Sequence, residues 1–133
     1  MTFTAIGFID VLAGTVVGMV LGAIWYSSMA FGPAWMASIG KTPDTLGSPT
    51  LPMIGSVVAS LLSALGVALL SAGLGIASLA QALCLGLTLG LLIVFPALLS
   101  DNLFCGWGGK LLLIQSGYRV LAITLMAVAM FYI

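Results

Sequence analysis

The sequence predicts an all-α polytopic membrane protein, with four transmembrane helices and a short interfacial helix after the first. Of its 133 residues, 62% are hydrophobic, and only three basic and three acidic side chains are present. A soluble domain carries about a quarter charged residues. So few charges cannot cover a water-exposed surface, and we therefore expect a single transmembrane bundle over residues 1–133.

Four apolar stretches are long enough to cross a bilayer, for which roughly 20 residues are needed. A glycine- and serine-rich segment, residues 71–75, separates the second from the third and predicts a tight antiparallel hairpin. The four predicted spans are residues 4–28, 51–72, 76–99 and 111–133.

The loop after the first span contains a short helix of its own. Pro33 suits the first turn of a helix, and Gly40 suits its C-terminal cap. Between them Trp35, Met36 and Ile39 share one face at helical spacing. This pattern is typical of a helix that lies at the membrane surface.

Aromatic residues and lysines mark one end of the predicted bundle. Lys41 and Lys110 fall in the first and third loops, which share a side when the chain crosses four times. The excess of positive charge on cytoplasmic loops places this side inside and both termini outside. The predicted interface anchors at this end are Trp25, Tyr26, Trp35 and Trp107.

Small residues recur every fourth position on two of the spans and predict close helix packing. In lipid, close backbone approach replaces the hydrophobic drive for helix association. We therefore expect the first span to pack against another helix, with the third span as the first choice of neighbour and a second chain as the alternative. The residues are Gly14, Gly18 and Gly22 on the first span, and Gly86 and Gly90 on the third.

The residue types that are missing exclude several chemistries. Histidine is absent, which removes imidazole metal ligands and histidine-dependent catalytic triads. The spacing of Cys84 and Cys105 matches no metal motif, and we place the first within a helix and the second in a loop. We therefore expect no catalytic residues, no metal, no cofactor and no nucleic-acid partner.

Arg119 is the candidate centre of an intramembrane polar site. It lies eight residues after Leu111, roughly 12 Å into the fourth span. A charge at this depth usually has a partner or a wet cavity. Gln115 and Tyr118 extend the polar face, and the predicted partner is Asp101 or a cluster of backbone carbonyls. The alternative is that the Arg119 side chain extends to the headgroups at the lysine side.

Two patches resemble a known family. GAIWYSSMAFGPAWM (residues 22–36) and KLLLIQSGYRVLAITLM (residues 110–126) are similar to the domain-of-unknown-function family 1761. Ser28 stands where the family usually has a proline. The resemblance implies a small bacterial four-helix integral membrane protein, and hence the inner (cytoplasmic) membrane. It implies no activity.

Three classes of function fit these features. The first is a non-catalytic integral membrane protein that acts as a structural or accessory subunit of a larger membrane complex, or as a homo-oligomer. Its partners are the lipid bilayer and other subunits or copies of itself. The alternative is a small transporter or lipophile-binding bundle with its polar site around Arg119. A membrane enzyme is the weakest, because no acid–base pair or activated nucleophile can be assembled.

Overall fold

The structure is a computed structural model that describes residues 6–133, and over these residues it is all-helical. Four helical spans have the length and apolar composition needed to cross a membrane, as the sequence predicts. The third span is divided into two α-helices by a short π-helical segment. The helices are α1 (Phe8–Trp25), α2 (Gly32–Ser38), α3 (Thr50–Leu74), α4 (Leu79–Leu89), the π segment (Gly90–Val94), α5 (Phe95–Cys105) and α6 (Gly109–Tyr132).

The helix ends follow local chemistry. The carboxylate of Asp10 accepts a 3.1 Å hydrogen bond from the backbone N–H of Gly7, which caps the start of α1. The predicted start of this span at residue 4 lies outside the described residues. The short helix α2 has a proline in its first turn and is followed by Gly40 at a φ of 68°. Both agree with the predicted interfacial helix.

The third span is longer than the sequence predicts. Its helix was expected to end at residue 99, but α5 continues to Cys105 and ends at Gly106, whose φ is 69°. Pro96 lies in the first turn of α5, where a missing N–H is tolerated, and the π segment directly precedes it. Asp101 and Cys105 are therefore helical residues. Both cysteines are free and exposed.

The last span, α6, is the central helix of the bundle. It packs against α1, α3 and α4. Of an apolar 18-residue stretch of this helix, 56% is buried, whereas only 17–22% of the corresponding stretch is buried in each of the other three spans. The helices α3 and α4 make little contact with each other, although only a short turn joins them. The main hydrophobic cluster comprises Ala64, Val67, Ala82, Ile123, Met126 and Ala127.

Glycines on α1 allow the closest helix contacts, but the predicted neighbour was wrong. A Cβ placed on Gly14 would lie 2.8 Å from the Cβ of Ala64 on α3 and 2.6 Å from Cε of Met130 on α6. A Cβ on Gly18 would lie 2.9 Å from the Ser60 hydroxyl oxygen of α3. The glycines of α1 (Gly14, Gly18 and Gly22, the α1 stripe) therefore pack against α3 and α6. The third span, which was the predicted neighbour, does not provide their nearest contacts.

The glycines of the third span also face α6. A Cβ on Gly86 would collide with the backbone of Thr124, and one on Gly90 would lie 2.9 Å from Cα of Val120. The two glycine stripes therefore pack on different sides of the same helix. These pairings also show that α6 runs antiparallel to both α1 and α4, so Lys41 and Lys110 lie at one end of the bundle, called the lysine end below.

Candidate functional site

A cavity of about 530 Å³ lies at the lysine end, between α1, α2, α3 and α6. Part of its lining is polar, and this part includes Tyr26, Trp35, Ser56, Gln115 and Arg119. The rest is apolar or backbone: Gly18, Met19, Gly22, Ala23, Pro49, Pro52, Met53 and Tyr118, whose hydroxyl is committed elsewhere. The cavity therefore presents a polar region and an apolar wall together.

The cavity lies near one end of the spans and not at the bilayer centre. Tyr118 packs against Gly22, one helical turn before α1 ends at Trp25. The indole N–H of Trp25 donates a 3.0 Å hydrogen bond to the carbonyl oxygen of Ile114, which fixes this register. Arg119, next to Tyr118, is thus roughly one turn, or about 5 Å, inside the end of α1.

The first two turns of α6 extend past the end of α1, which changes the depth of Arg119. Counted from Leu111, the predicted start of the fourth span, Arg119 was expected roughly 12 Å into the membrane. Counted from Trp25 and its neighbouring aromatic residues, Arg119 lies at the level where interfacial side chains are expected. The site therefore lies near the lysine end of the spans, where we expect the membrane interface.

Tyr118 orients the site. Its side chain is buried, and its hydroxyl donates a 2.9 Å hydrogen bond to the carbonyl oxygen of Gly18. Its ring contacts the Tyr26 ring edge-on at 5.5 Å between centroids. The guanidinium carbon of Arg119 lies 5.2 Å from the centroid of the Tyr118 ring, within cation–π range. One fixed aromatic ring thus supports the cation.

Tyr26 and Trp35 supply further donors beside the cation. Their rings meet edge-on with centroids 5.6 Å apart, which joins the end of α1 to α2. Burial raises the pKa of the Tyr26 phenol, and the positive charge of Arg119 lowers it only in part. Tyr26 is therefore a neutral hydrogen-bond donor and acceptor at neutral pH.

None of the three acidic residues of the chain lines the cavity. Asp10 caps α1 at the opposite end of the bundle. Asp44 is exposed in the segment between α2 and α3. Asp101 lies on α5, away from the cavity. Within residues 6–133, the positive charge of Arg119 therefore has no acidic residue beside it in the cavity wall.

The predicted pairing of Arg119 with Asp101 is not formed. The side-chain amide of Asn102 donates a 3.0 Å hydrogen bond to the carbonyl oxygen of Gly108, which places this part of α5 beside the start of α6. Asp101 is exposed there, whereas Arg119 is ten residues, roughly 15 Å, beyond the start of α6 at Gly109. The partner was wrong because α5 extends beyond residue 99 and carries Asp101 away from the cavity.

The remaining predicted site residues divide between the cavity and the surface. Gln115 lines the cavity, as do Tyr26 and Trp35, which the sequence analysis proposed only as interface anchors. Trp25 packs inward, with its ring centroid 4.5 Å from that of Phe31. Trp107 is 52% exposed in the turn after α5.

The second span contributes a wall of the cavity that was not predicted from the sequence. Pro49, Pro52, Met53 and Ser56 come from the start of α3 and close one side of the cavity. Their only sequence signal was the pair of prolines on either side of the start of the second span. That pattern indicates a helix start and does not indicate a binding wall.

The arrangement offers hydrogen-bond donors and one cation. Over the described part of the chain, no group of three or more histidine, cysteine or acidic residues could hold a metal ion. The cavity wall contains no carboxylate or thiol that could serve as a base or nucleophile. The chemistry of this wall suits binding and orientation of a molecule with polar and apolar parts.

Neither the curated proteins nor the solved structures contain a match to the chain. A family model described as "Protein of unknown function (DUF1761)" matches residues 9–131, nearly the whole chain. The matched range includes every cavity-lining residue and all four spans except the first residue of α1 and the last residue of α6. The chain therefore belongs to the DUF1761 family, as an all-helical member with four helices long and apolar enough to span a membrane.

Proposed function

We propose that this protein is a non-catalytic binding protein of the membrane, which holds an amphiphilic molecule in the cavity beside Arg119. The observation that carries the proposal is the position of an exposed guanidinium in a cavity with both polar and apolar lining. Small-molecule sites commonly occupy about 300–1,000 Å³ and combine apolar walls with a few polar groups. A cavity of about 530 Å³ falls within this range.

The location of the cavity favours a ligand that partitions into the bilayer surface. The polar groups lie at the level of Trp25 and Tyr26, at the lysine end. Met19 and Met53 provide apolar lining, and methionine adapts its shape to irregular contacts. A head group beside Arg119 and an alkyl chain against the methionines would use both parts of the wall.

Quenching of tryptophan fluorescence tests this proposal, because Trp35 lines the cavity. A neutral dodecyl glucoside and a dodecyl phosphate, each carrying a bromine-tagged chain, serve as probes in maltoside detergent. We expect saturable quenching by at least one probe, and loss of the saturable part in Trp35→Phe. The control is Trp107→Phe, which removes an exposed tryptophan outside the cavity. Quenching that stays linear for both probes would contradict the proposal.

A role as an accessory subunit or homo-oligomer is the second candidate. The observation in its favour is the outer face of α3, where a Cβ on Gly55 or Gly66 would meet no atom within 4 Å. Glycines on an open face permit close approach of another helix in a membrane. We expect Gly55→Cys to cross-link between copies or to a partner if this role applies, with Leu92→Cys on the π segment as the exposed control.

We further propose that the protein lies in the bacterial cytoplasmic membrane with both termini outside. Lys41 and Lys110 lie at one end of the bundle, and cytoplasmic loops carry an excess of positive charge. In this orientation the cavity faces the cytoplasmic leaflet. A ligand would then enter from that leaflet or from the cytoplasm.

A further inference from the structure

We infer that the ligand's head group is an anion, a phosphate or a carboxylate, bound by Arg119. This inference rests on the amphiphile-binding function proposed above and adds the charge and the chemical class of the ligand. Three features carry it: the charge of the cavity wall, the free donors around Arg119, and the way that Tyr118 supports the guanidinium.

The first feature is the charge of the cavity wall. Arg119 is its single ionic group among the lining residues, since all three acidic residues of the chain lie elsewhere. The cavity lies near the lysine end, where water can hydrate the guanidinium, so the charge acts mainly by selecting which head group enters. A cationic head group would be repelled, and a neutral one would leave the charge uncompensated. An anion supplies the missing countercharge.

The second feature is the set of hydrogen-bonding groups that line the cavity. The hydroxyl of Tyr118 is engaged with the carbonyl oxygen of Gly18, so it is committed to the fold. Tyr26 and Trp35 line the same cavity and carry an O–H and an N–H. Gln115 and Ser56 add both donors and acceptors, but with the five N–H groups of Arg119 the polar side chains of the wall carry more donors than acceptors. Phosphate and carboxylate oxygens accept such donors, and arginine binds both groups with two parallel hydrogen bonds.

The third feature is the position of the Arg119 guanidinium relative to the Tyr118 ring. The Tyr118 ring lies 5.2 Å from the guanidinium carbon and is held by a buried hydrogen bond. Arg119 is nevertheless an exposed residue that lines the cavity. The position of its guanidinium carbon over a fixed ring limits its orientations, and no hydrogen bond within residues 6–133 occupies its N–H groups. This arrangement is preorganised for an anion that enters from the interface.

The test compares the two bromine-tagged probes, which share a chain and differ in the charge of the head group. We expect the dodecyl phosphate to bind the wild-type protein at least tenfold more tightly than the glucoside. Arg119→Gln should weaken phosphate binding by about tenfold to a hundredfold, the range for hydrogen bonds to charged groups. The glucoside affinity should change little, and Arg119→Lys should retain part of the preference.

Lys110→Gln provides the matched control. It removes one positive charge from the same helix at an exposed position outside the cavity. We expect wild-type affinity for both probes in this variant. Equal losses in Lys110→Gln and Arg119→Gln would show that binding follows net charge, which would overturn the assignment to Arg119. Circular dichroism of each variant confirms that it remains folded.

The outcomes separate the inference from the proposed function. Equal, saturable binding of both probes would support the amphiphile site and overturn the anionic head group. If neither probe binds saturably, both the amphiphile site and the anionic head group are overturned. Unlabelled competitors identify the source of the anion: a short-chain phosphatidic acid that displaces the probe indicates a lipid. Displacement by inorganic phosphate at the same concentration indicates a soluble anion, and both results support the anionic site.

Discussion

The hydroxyl of Tyr118 donates a 2.9 Å hydrogen bond to the carbonyl oxygen of Gly18, across 100 positions of sequence. Gly22, one turn further along α1, leaves room for the tyrosine, because a Cβ there would lie 3.2 Å from the Tyr118 hydroxyl oxygen. The same tyrosine ring lies beside Arg119. Helix packing and the candidate binding site therefore share one residue.

Tyr118→Phe should destabilise the bundle moderately. It removes the hydrogen bond to Gly18 and keeps the ring, and interhelical hydrogen bonds in membranes contribute about 0.6 kcal/mol on average, with a maximum near 1.7. Thermal unfolding in detergent measures the effect. Tyr132→Phe is the control, because Tyr132 is 69% exposed at the end of α6. Equal melting temperatures for the two variants would argue against the interhelical bond.

Gly86→Ala should be more destabilising than Gly66→Ala. The new Cβ at Gly86 would collide with the backbone of Thr124, which cannot rotate away, and overpacking typically costs about 1–3 kcal/mol. At Gly66 the new Cβ meets open space, so better helix propensity should leave stability unchanged or raise it by up to about 1 kcal/mol. Denaturant or thermal unfolding compares the pair. A destabilised Gly66→Ala would indicate a neighbour on the outer face of α3.

Arg119→Leu and Asp101→Asn should act additively on stability. A pairing of these residues was predicted from the sequence, but the contact between Asn102 and Gly108 places Asp101 at the start of α6, away from the cavity. Distant sites add within about 0.5 kcal/mol. Unfolding of both single variants and the double variant measures the coupling. An interaction energy well above this limit would contradict the separation of the two residues and support the pairing of Arg119 with Asp101.

The two native cysteines test membrane topology without engineered sites. Cys105 ends α5 at the lysine end, whereas Cys84 lies within α4, and both are exposed at the protein surface. An impermeant thiol reagent should label Cys105 in inverted vesicles and leave intact cells unlabelled. Cys84 should resist the reagent in both, because it faces hydrocarbon. Cys105→Ser and Cys84→Ser identify the labelled residue, and labelling of Cys105 in intact cells would reverse the orientation.

Span existence was predictable from sequence, whereas span pairing was not. The length of an apolar stretch is a local property, so the four spans and the short helix from Pro33 to Gly40 could be identified directly. Glycine stripes on two helices carry no information about which surface each one meets. Here both stripes pack on α6, which has no such stripe itself. The central position of α6 was therefore not recognisable from the spacing of small residues along it.

The candidate site was only partly predictable for a related reason. Arg119, Gln115 and Tyr118 share one helix, and their common face follows from helical spacing. The opposing wall comes from α1, α2 and the start of α3, whose distances from α6 depend on tertiary packing. The end of the third span was misplaced because a drop in hydropathy was taken as a helix end, whereas α5 continues through Asp101.

Mass spectrometry of the intact protein, released from native membranes in mild detergent, tests the binding function most directly. Ala23→Trp fills the cavity from α1, and Ala80→Trp adds the same side chain to an exposed position on α4. We predict a bound amphiphile at one per chain in the wild type and in Ala80→Trp, and its loss from Ala23→Trp. A wild-type protein without any bound molecule, or equal retention by both variants, would contradict the account.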